Sequence, residues 1–554
     1  MVYTSKRRPN IARRRRIKAQ NAARSRRKKK LQSVRIRMYR QGLGDCFLLT
    51  FSNAEGQEHH MMIDCGVLPF SKGGNQRLDL IAENVLAECG RNLNTVIATH
   101  EHADHISGFK TAGEILGLDP EKKPDQPVQV DQIWLAWTED LEDPQVKKII
   151  EKGNALSLAI TASLNGMEAQ SRREIQDILL FSGYYLGAEE EMGASAGDRG
   201  QGLLGFKISR TMQETMENIR KWGPVEYLEP NDVRNFPDFG VRIYVLGPSR
   251  KMRMLGGQTP TEGEVGEGLK LSQSSAFLAA AAKFSNLELE EEPGIGLSQS
   301  DLEALYAQGM PFDRSRSISL DEIQQPETVD TADTGAEKED AKKISPSYRD
   351  FFKKYYGYED KTGSYGEDWR RIDNDWLQLG ENLALQQVST VNNTSLVIAI
   401  ELVESGKVLI FCGDAEEESW ETWENENADL DKLLANTVLY KVGHHGSINA
   451  TDQTVLKTKM TNKELVALIP VDMKRAEDKK WEFPAKVLYN PDPEPGDPSG
   501  RGLLFTQTAG RVLVNCSDAC MNCDPSYDEA RSWPGKVIRD DSEDKLWVDY
   551  VLEL

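Results

Sequence analysis

The chain has 554 residues, of which 39% are hydrophobic and 28% charged, and a formal net charge of −20. A chain of this length holds one large elaborated core or two to three ordinary domains. No run of about 18 apolar residues predicts a membrane span and no apolar leader is visible at the N-terminus, so a soluble cytoplasmic protein is expected.

Charge is unevenly placed. The first 44 residues carry 17 Lys or Arg and no acid, leaving 51 bases against 88 acids in the remainder. Residues 1–33, with Arg13-Arg-Arg-Arg16 and Arg26-Arg-Lys-Lys-Lys30, are expected to form a disordered basic arm that contacts nucleic acid, an anionic surface or the acidic body itself. Order is expected from Val34-Arg-Ile-Arg-Met-Tyr-Arg40, whose alternation suits a strand at a sheet edge. Gly42-Leu-Gly-Asp-Cys46 makes a turn, and Phe47–Phe51 and His60–Asp64 make two further strands. A helix is expected over Leu78–Glu88, and Thr95–Thr99 is a short buried strand running straight into His100.

Val130–Trp137 is another strand, 141–239 is expected to be a helical insertion, and Val241–Leu246 is again a strand within a core segment 240–250. Residues 251–383 are expected to form an acidic insertion, flexible around Asp321–Lys343 where apolar content is low. Strands return at Thr394–Glu401, Lys407–Phe411, Val438–Val442, Leu465–Pro470 and Gly510–Val514, leaving 516–554 as an extension. Strands and helices alternating on both sides of two insertions give an α/β fold class, with core halves at 34–140 and 384–515. The seven scattered cysteines do not suit a secreted disulfide framework; Cys516, Cys520 and Cys523 alone are spaced closely enough to suggest zinc.

The strongest chemical signal is Thr99-His100-Glu-His102-Ala-Asp104-His105, four potential ligands directly after a buried strand. Imidazole nitrogen with carboxylate oxygen suits zinc, manganese or iron. Five of the seven histidines fall in two short segments, and the second, Gly443-His444-His445-Gly446, again follows a strand. A third strand, Val408–Phe411, ends in Gly413-Asp414, where a carboxylate can bridge two metal ions.

His-x-His-x-Asp-His, then Gly-Asp, then a strand ending in His, resembles the metallo-β-lactamase superfamily. Lys441-Val-Gly-His-His-Gly-Ser447, Asn392-Asn-Thr-Ser-Leu-Val397 and Gly44-Asp-Cys-Phe-Leu-Leu49 are similar to the branch that contains the hydrolase domain of the bacterial DNA-uptake protein ComEC. The resemblance implies an αββα sandwich interrupted by the two insertions. It implies one or two divalent ions, zinc or manganese. His100 and His102 would bind the first, Asp104 and His105 the second, and Asp414 would bridge. One of His444 and His445 would complete the second site, with His445 taken as the ligand and His444 as phosphate contact or proton donor beside Asp104 in the catalytic centre. Asp64 would support the site, and Asn393 and Ser395 would line it toward substrate.

The chain has no histidine between 106 and 443, where superfamily members carry a third ligand to the first metal. Glu139, Asp140, water or a substrate oxygen would have to replace it. A cation here lowers the pKa of water and neutralises charge on phosphoryl oxygens, so a phosphodiesterase or nuclease is expected. The alternatives are hydrolysis of a small phosphodiester, ester or thioester, with Trp134, Trp137 and Trp376 as pocket or, more simply, core residues. A further alternative is an assembly subunit with a degenerate metal site. The acidic insertion offers a surface for a protein partner, as in a defence-type complex whose effector is held in check.

Overall fold

The computed structural model describes residues 31–68, 74–118, 127–150, 211–251, 379–491, 500–515 and 532–554, with short pieces within 173–181 and 354–365. The arm at 1–30, most of both insertions, Trp376 and the cysteines at 516, 520 and 523 lie outside the described residues. The chain divides into two units, one of Met1–Lys147, Leu179–Met254 and Val388–Leu554, the other of Lys148–Ile178 and Leu255–Gln387. The described strands of the second unit form a small hairpin, β9 (Tyr358–Glu359) with β10 (Ser364–Tyr365).

The first unit is a mixed α/β structure with two mixed sheets. The first sheet contains β1 (Leu31–Tyr39), β2 (Cys46–Asn53), β3 (Glu58–Cys65), β4 (Asn92–Ile97), β5 (Gln129–Ala136), β6 (Val225–Leu228), β16 (Lys536–Arg539) and β17 (Trp547–Glu553). Their order is β16-β17-β1-β2-β3-β4-β5-β6, antiparallel as far as β3 and parallel from β3 to β6. The second contains β7 (Val233–Phe236), β8 (Val241–Gly247), β11 (Val397–Leu402), β12 (Lys407–Phe411), β13 (Thr437–Lys441), β14 (Val466–Ile469) and β15 (Val512–Val514). Its order from β7 is β7-β8-β11-β12-β13-β14-β15, with β12 to β15 parallel.

Period-two alternation decides what each face buries. Val34, Ile36 and Met38 of β1, Phe47, Leu49 and Phe51 of β2, and Ile398, Ile400, Leu409 and Phe411 of the second sheet join one apolar core. Phe47 meets Phe411 edge-on at 5.5 Å between ring centres. The opposite face of the first sheet, with Cys46, Leu48 and Met62, packs on Leu78, Ile81 and Val85 of helix α1 (Gly74–Cys89) and on Phe109, Ala112 and Leu116 of a later helix, Phe109–Leu116. The parallel strands of the second sheet are buried almost throughout, as Val408–Phe411 and Thr437–Lys441 are, because both faces are covered.

Four expectations are corrected. Leu31–Ser33 lie in β1 and so belong to the first sheet and not to the arm. That strand is interior, not an edge: Arg37 is 2% exposed, donates to both oxygens of Asp549 at 2.7 and 2.8 Å and to Glu88 at 2.7 Å, and lies over the Trp547 ring. The presumed C-terminal extension supplies its neighbour, since Val548, Tyr550 and Leu552 of β17 alternate into the shared core. Finally, the stretch expected to be a helical insertion holds helical residues at 144–150 and in Thr211–Ile219, but also β6 and β7. Their four-residue strands are bounded by Gly223-Pro224 and Asn231-Asp232, turn formers that stop a helix.

Candidate metal centre

The parallel strands place the site. Asp64 sits near the end of β3, the His100–His105 loop follows β4, Asp414 follows β12, and Lys441, His444 and His445 close β13. Ligands collect at the carboxyl ends of parallel strands because several chain turns meet there on a rigid frame. Two turns press directly on the loop. A Cβ on Gly66 would lie 2.3 Å from both the Asp104 carbonyl carbon and the His105 nitrogen, and one on Gly44 would lie 2.5 Å from the Asp104 oxygen. The Asp45 amide donates to that same oxygen at 2.8 Å. The Gly42–Cys46 turn is therefore the seat of the ligand loop.

Asp104, His105, Asp414 and His445 come together with one donor atom each, all four atoms within 4.8 Å of one another and all four residues fully buried. His445 Nε2 lies 2.6 Å from Asp104 Oδ2 and 3.6 Å from Asp414 Oδ2. His105 Nε2 lies 3.1 Å from Asp414 Oδ2, yet neither atom has a hydrogen-bond partner of acceptable geometry, nor has Asp104 Oδ1. Buried polar atoms left without partners cost about 1–3 kcal/mol each. Two imidazoles and two carboxylates, three of these residues with an unbonded atom, fit a divalent cation, which all four can share. Beside this set, His100 Nε2 and His102 Nδ1 face each other at 3.1 Å.

Surrounding groups fix these side chains. Asp64 accepts from the Thr99 amide at 2.7 Å and the Thr99 hydroxyl at 2.8 Å, and its Oδ2 lies 2.8 Å from His105 Nδ1. His445 Nδ1 donates to the Pro470 carbonyl at 2.7 Å. Ser395 Oγ stands 3.2 Å from His100 Nδ1 and accepts from the Asp414 amide at 3.0 Å. Asp64, His444 and His445 all adopt positive φ, a conformation that non-glycine residues keep only where surroundings impose it.

The electrostatics follow from burial and from close opposite charges. Burial opposes charge on His105, but Asp414, Asp45, Asp104 and Asp64 around it raise its pKa well above the usual histidine range. Burial likewise opposes ionisation of Asp414, yet His105, His445 and Lys441 hold its pKa well below the carboxylate range. Burial and the neighbouring imidazoles lower His100, and His102 falls to about 4 chiefly through burial, so both present neutral nitrogens.

Other expected site residues stand elsewhere. The ring of His444 is outside the cluster, with Nδ1 3.1 Å from Ser447 Oγ and 3.5 Å from Asn392 Nδ2, while its backbone amide donates to Asp414 Oδ1 at 3.0 Å. Asn393 directs its side-chain oxygen to the Glu416 amide and Ser419 hydroxyl at 3.0 and 2.7 Å, so its neighbour Asn392 is the one facing His444. Glu139 is bound to Arg220 at 3.1 Å and is not among the clustered donors; nor is Asp140. Trp134 and Trp137 are core residues, exposed by 0% and 1%.

Comparison with models of known protein families, and with curated proteins, finds no match for this chain.

The structure also adds residues that sequence reasoning leaves without a role. Asp45 and Lys441 form a buried pair beside Asp414. Phe181 packs near His444 and His445 with Trp481 and Phe483, and its carbonyl accepts from the Ala103 amide of the ligand loop at 2.7 Å. Their only sequence signal is proximity: Asp45 and Lys441 fall inside motifs that are visible for other reasons.

Proposed function

We propose that the chain is a metal-dependent hydrolase of metallo-β-lactamase type, acting on phosphodiesters and most naturally on nucleic acid. The observation that carries this reading is the buried set Asp104, His105, Asp414 and His445, with three of its donor atoms unbonded. His100 and His102 offer two neutral nitrogens for a second, weaker position. A bound divalent cation supplies Lewis acidity and a lowered pKa for water. The protein's own contribution is to hold the ligands. Asp64 fixes the His105 tautomer, the Pro470 carbonyl fixes His445, and Ser395 holds the Asp414 backbone against His100. His444, seated by Ser447 and Asn392, is the residue positioned to contact a phosphoryl oxygen or give a proton to a leaving alkoxide.

The paired antiparallel-then-parallel sheets around one core suit the αββα architecture. The basic arm supplies salt-sensitive phosphate contacts, and the acidic remainder disfavours broad binding to duplex, which points to short, single-stranded or protein-delivered substrates. The test measures bound metal by elemental analysis together with hydrolysis of labelled DNA, labelled RNA and bis(p-nitrophenyl) phosphate. Stoichiometric zinc, manganese or iron is expected, lost in the His102→Ala/His105→Ala variant along with turnover. Metal-free protein that retains full turnover in chelator overturns the proposal.

A further inference from the structure

Lys441 is 1% exposed, and no step of the proposed chemistry uses it. Its ammonium lies 2.5 Å from Asp45 Oδ2 and 3.3 Å from Asp414 Oδ1, and donates to the Gly413 carbonyl at 2.7 Å. A buried lysine is costly, and a partner that were merely structural could sit anywhere in the fold. This one joins the two sheets at the ligands. Asp45 belongs to the turn between β1 and β2, and its amide holds the Asp104 carbonyl at 2.8 Å. Lys441 ends β13 of the other sheet and holds the loop that carries Asp414. The run Asp104–Asp45–Lys441–Asp414 is thus a polar strut linking a ligand of one sheet to a ligand of the other.

The strut also divides the oxygens of Asp414. Oδ1 accepts from Lys441 and from the His444 amide at 3.0 Å, while Oδ2 has no hydrogen-bond partner. We propose that Lys441, anchored by Asp45, is a positioning residue that occupies Asp414 Oδ1 and thereby presents Oδ2 alone to the cation shared with Asp104, His105 and His445. The proposal rests on the cation-binding reading of that cluster.

Asp45→Asn/Lys441→Met removes one negative and one positive charge together, keeping the local charge sum while cutting the strut. The probe is Mn²⁺ or Zn²⁺ alone, titrated calorimetrically into metal-free full-length protein, with thermal melting as the control for folding. The expected result is a folded double variant whose affinity for the first ion falls about 10- to 100-fold, the range seen when groups orienting a ligand are removed. Asp45→Asn alone provides the second arm: it leaves the ammonium paired with Asp414 only, competing with the cation, and affinity is expected to fall by a similar factor. Affinity within twofold of wild type in the folded variants overturns the positioning role while leaving the metal reading intact. Wild-type protein that binds neither ion overturns both.

Discussion

Asp64→Asn tests the centre through a residue outside the set Asp104, His105, Asp414 and His445, although it clusters with Asp45 around His105. Asp64 accepts from the Thr99 amide at 2.7 Å and hydroxyl at 2.8 Å, and its Oδ2 meets His105 Nδ1 at 2.8 Å. Asparagine keeps the volume and one carbonyl oxygen for the Thr99 amide, but puts an NH₂ group where Oδ2 faces His105. The imidazole must then accept at Nδ1 and carry its proton on Nε2, the atom 3.1 Å from Asp414 Oδ2 and 3.8 Å from Asp104 Oδ2. A protonated Nε2 cannot ligate. To regain the wild-type tautomer, the variant must set Nδ1–H against N–H, losing a charge-assisted bond of about 1.5–3 kcal/mol and leaving buried donors unmatched at about 1–3 kcal/mol. Together these weaken the first metal by about 3 kcal/mol or more, two decades in affinity at 1.4 kcal/mol per decade. Metal-free protein should lose less stability than this, because the neutral imidazole keeps Nε2 facing the Asp414 and Asp104 carboxylates. In wild type the raised pKa of His105 means that a proton must leave before the ligand forms, so affinity should climb with pH. Calorimetric titration with Zn²⁺ or Mn²⁺ at two pH values reads both effects. An Asp64→Asn protein with wild-type affinity and stoichiometry would refute the tautomer argument.

Three further outcomes are expected. Asp549→Ala should cost about 3–5 kcal/mol in urea unfolding by stranding Arg37, whereas Arg37→Met/Asp549→Leu should recover most of it; a double variant as unstable as the single one contradicts this. Burial and Glu101 push Glu139 up to about 7, against the pull of Arg220. A carboxyl raised in this way contributes stability that is full below its unfolded pKa and is lost as pH rises through about 7, so Glu139→Gln should flatten the fall in melting temperature between pH 5 and 8, and an unchanged slope counts against it. Deleting residues 1–30 should reduce the salt dependence of nucleic-acid binding while turnover of a small diester stays near wild type, as parallel binding and rate assays would reveal.

The candidate loop is legible in sequence because its residues are local: His100, His102, Asp104 and His105 sit within six residues after a buried strand, and Asp104 and His105 of these join the buried cluster. The α/β class is legible for a similar reason, since Lys407–Phe411 and Thr95–Ile97 are short apolar runs bounded by polar turns. What surrounds the ligands is not. Asp45 and Lys441 look like ordinary charges beside strands, and only the closure of one sheet on the other makes them a buried pair. Asn393 and Asn392 are indistinguishable by pattern, and one residue of rotation decides which faces His444. The place of β17 depends on a pairing with a strand about 500 positions away, for which no local signal exists.

That pairing bears on how the protein is made. During synthesis β1, β2 and β3 leave the ribosome early, and the turns that seat the ligand loop leave with them, but the other flank of β1 gains its partner only after residue 547 has been added. Until then a strand carrying Arg35 and Arg37 offers open amides and carbonyls to any other chain, with Glu88 as the local acid available to pair with them. Contacts of such sequence separation form late and slowly. The two arginines do double service: in the finished molecule they bind Asp549, and in the unfinished one their charge keeps an unpaired edge from joining its neighbours.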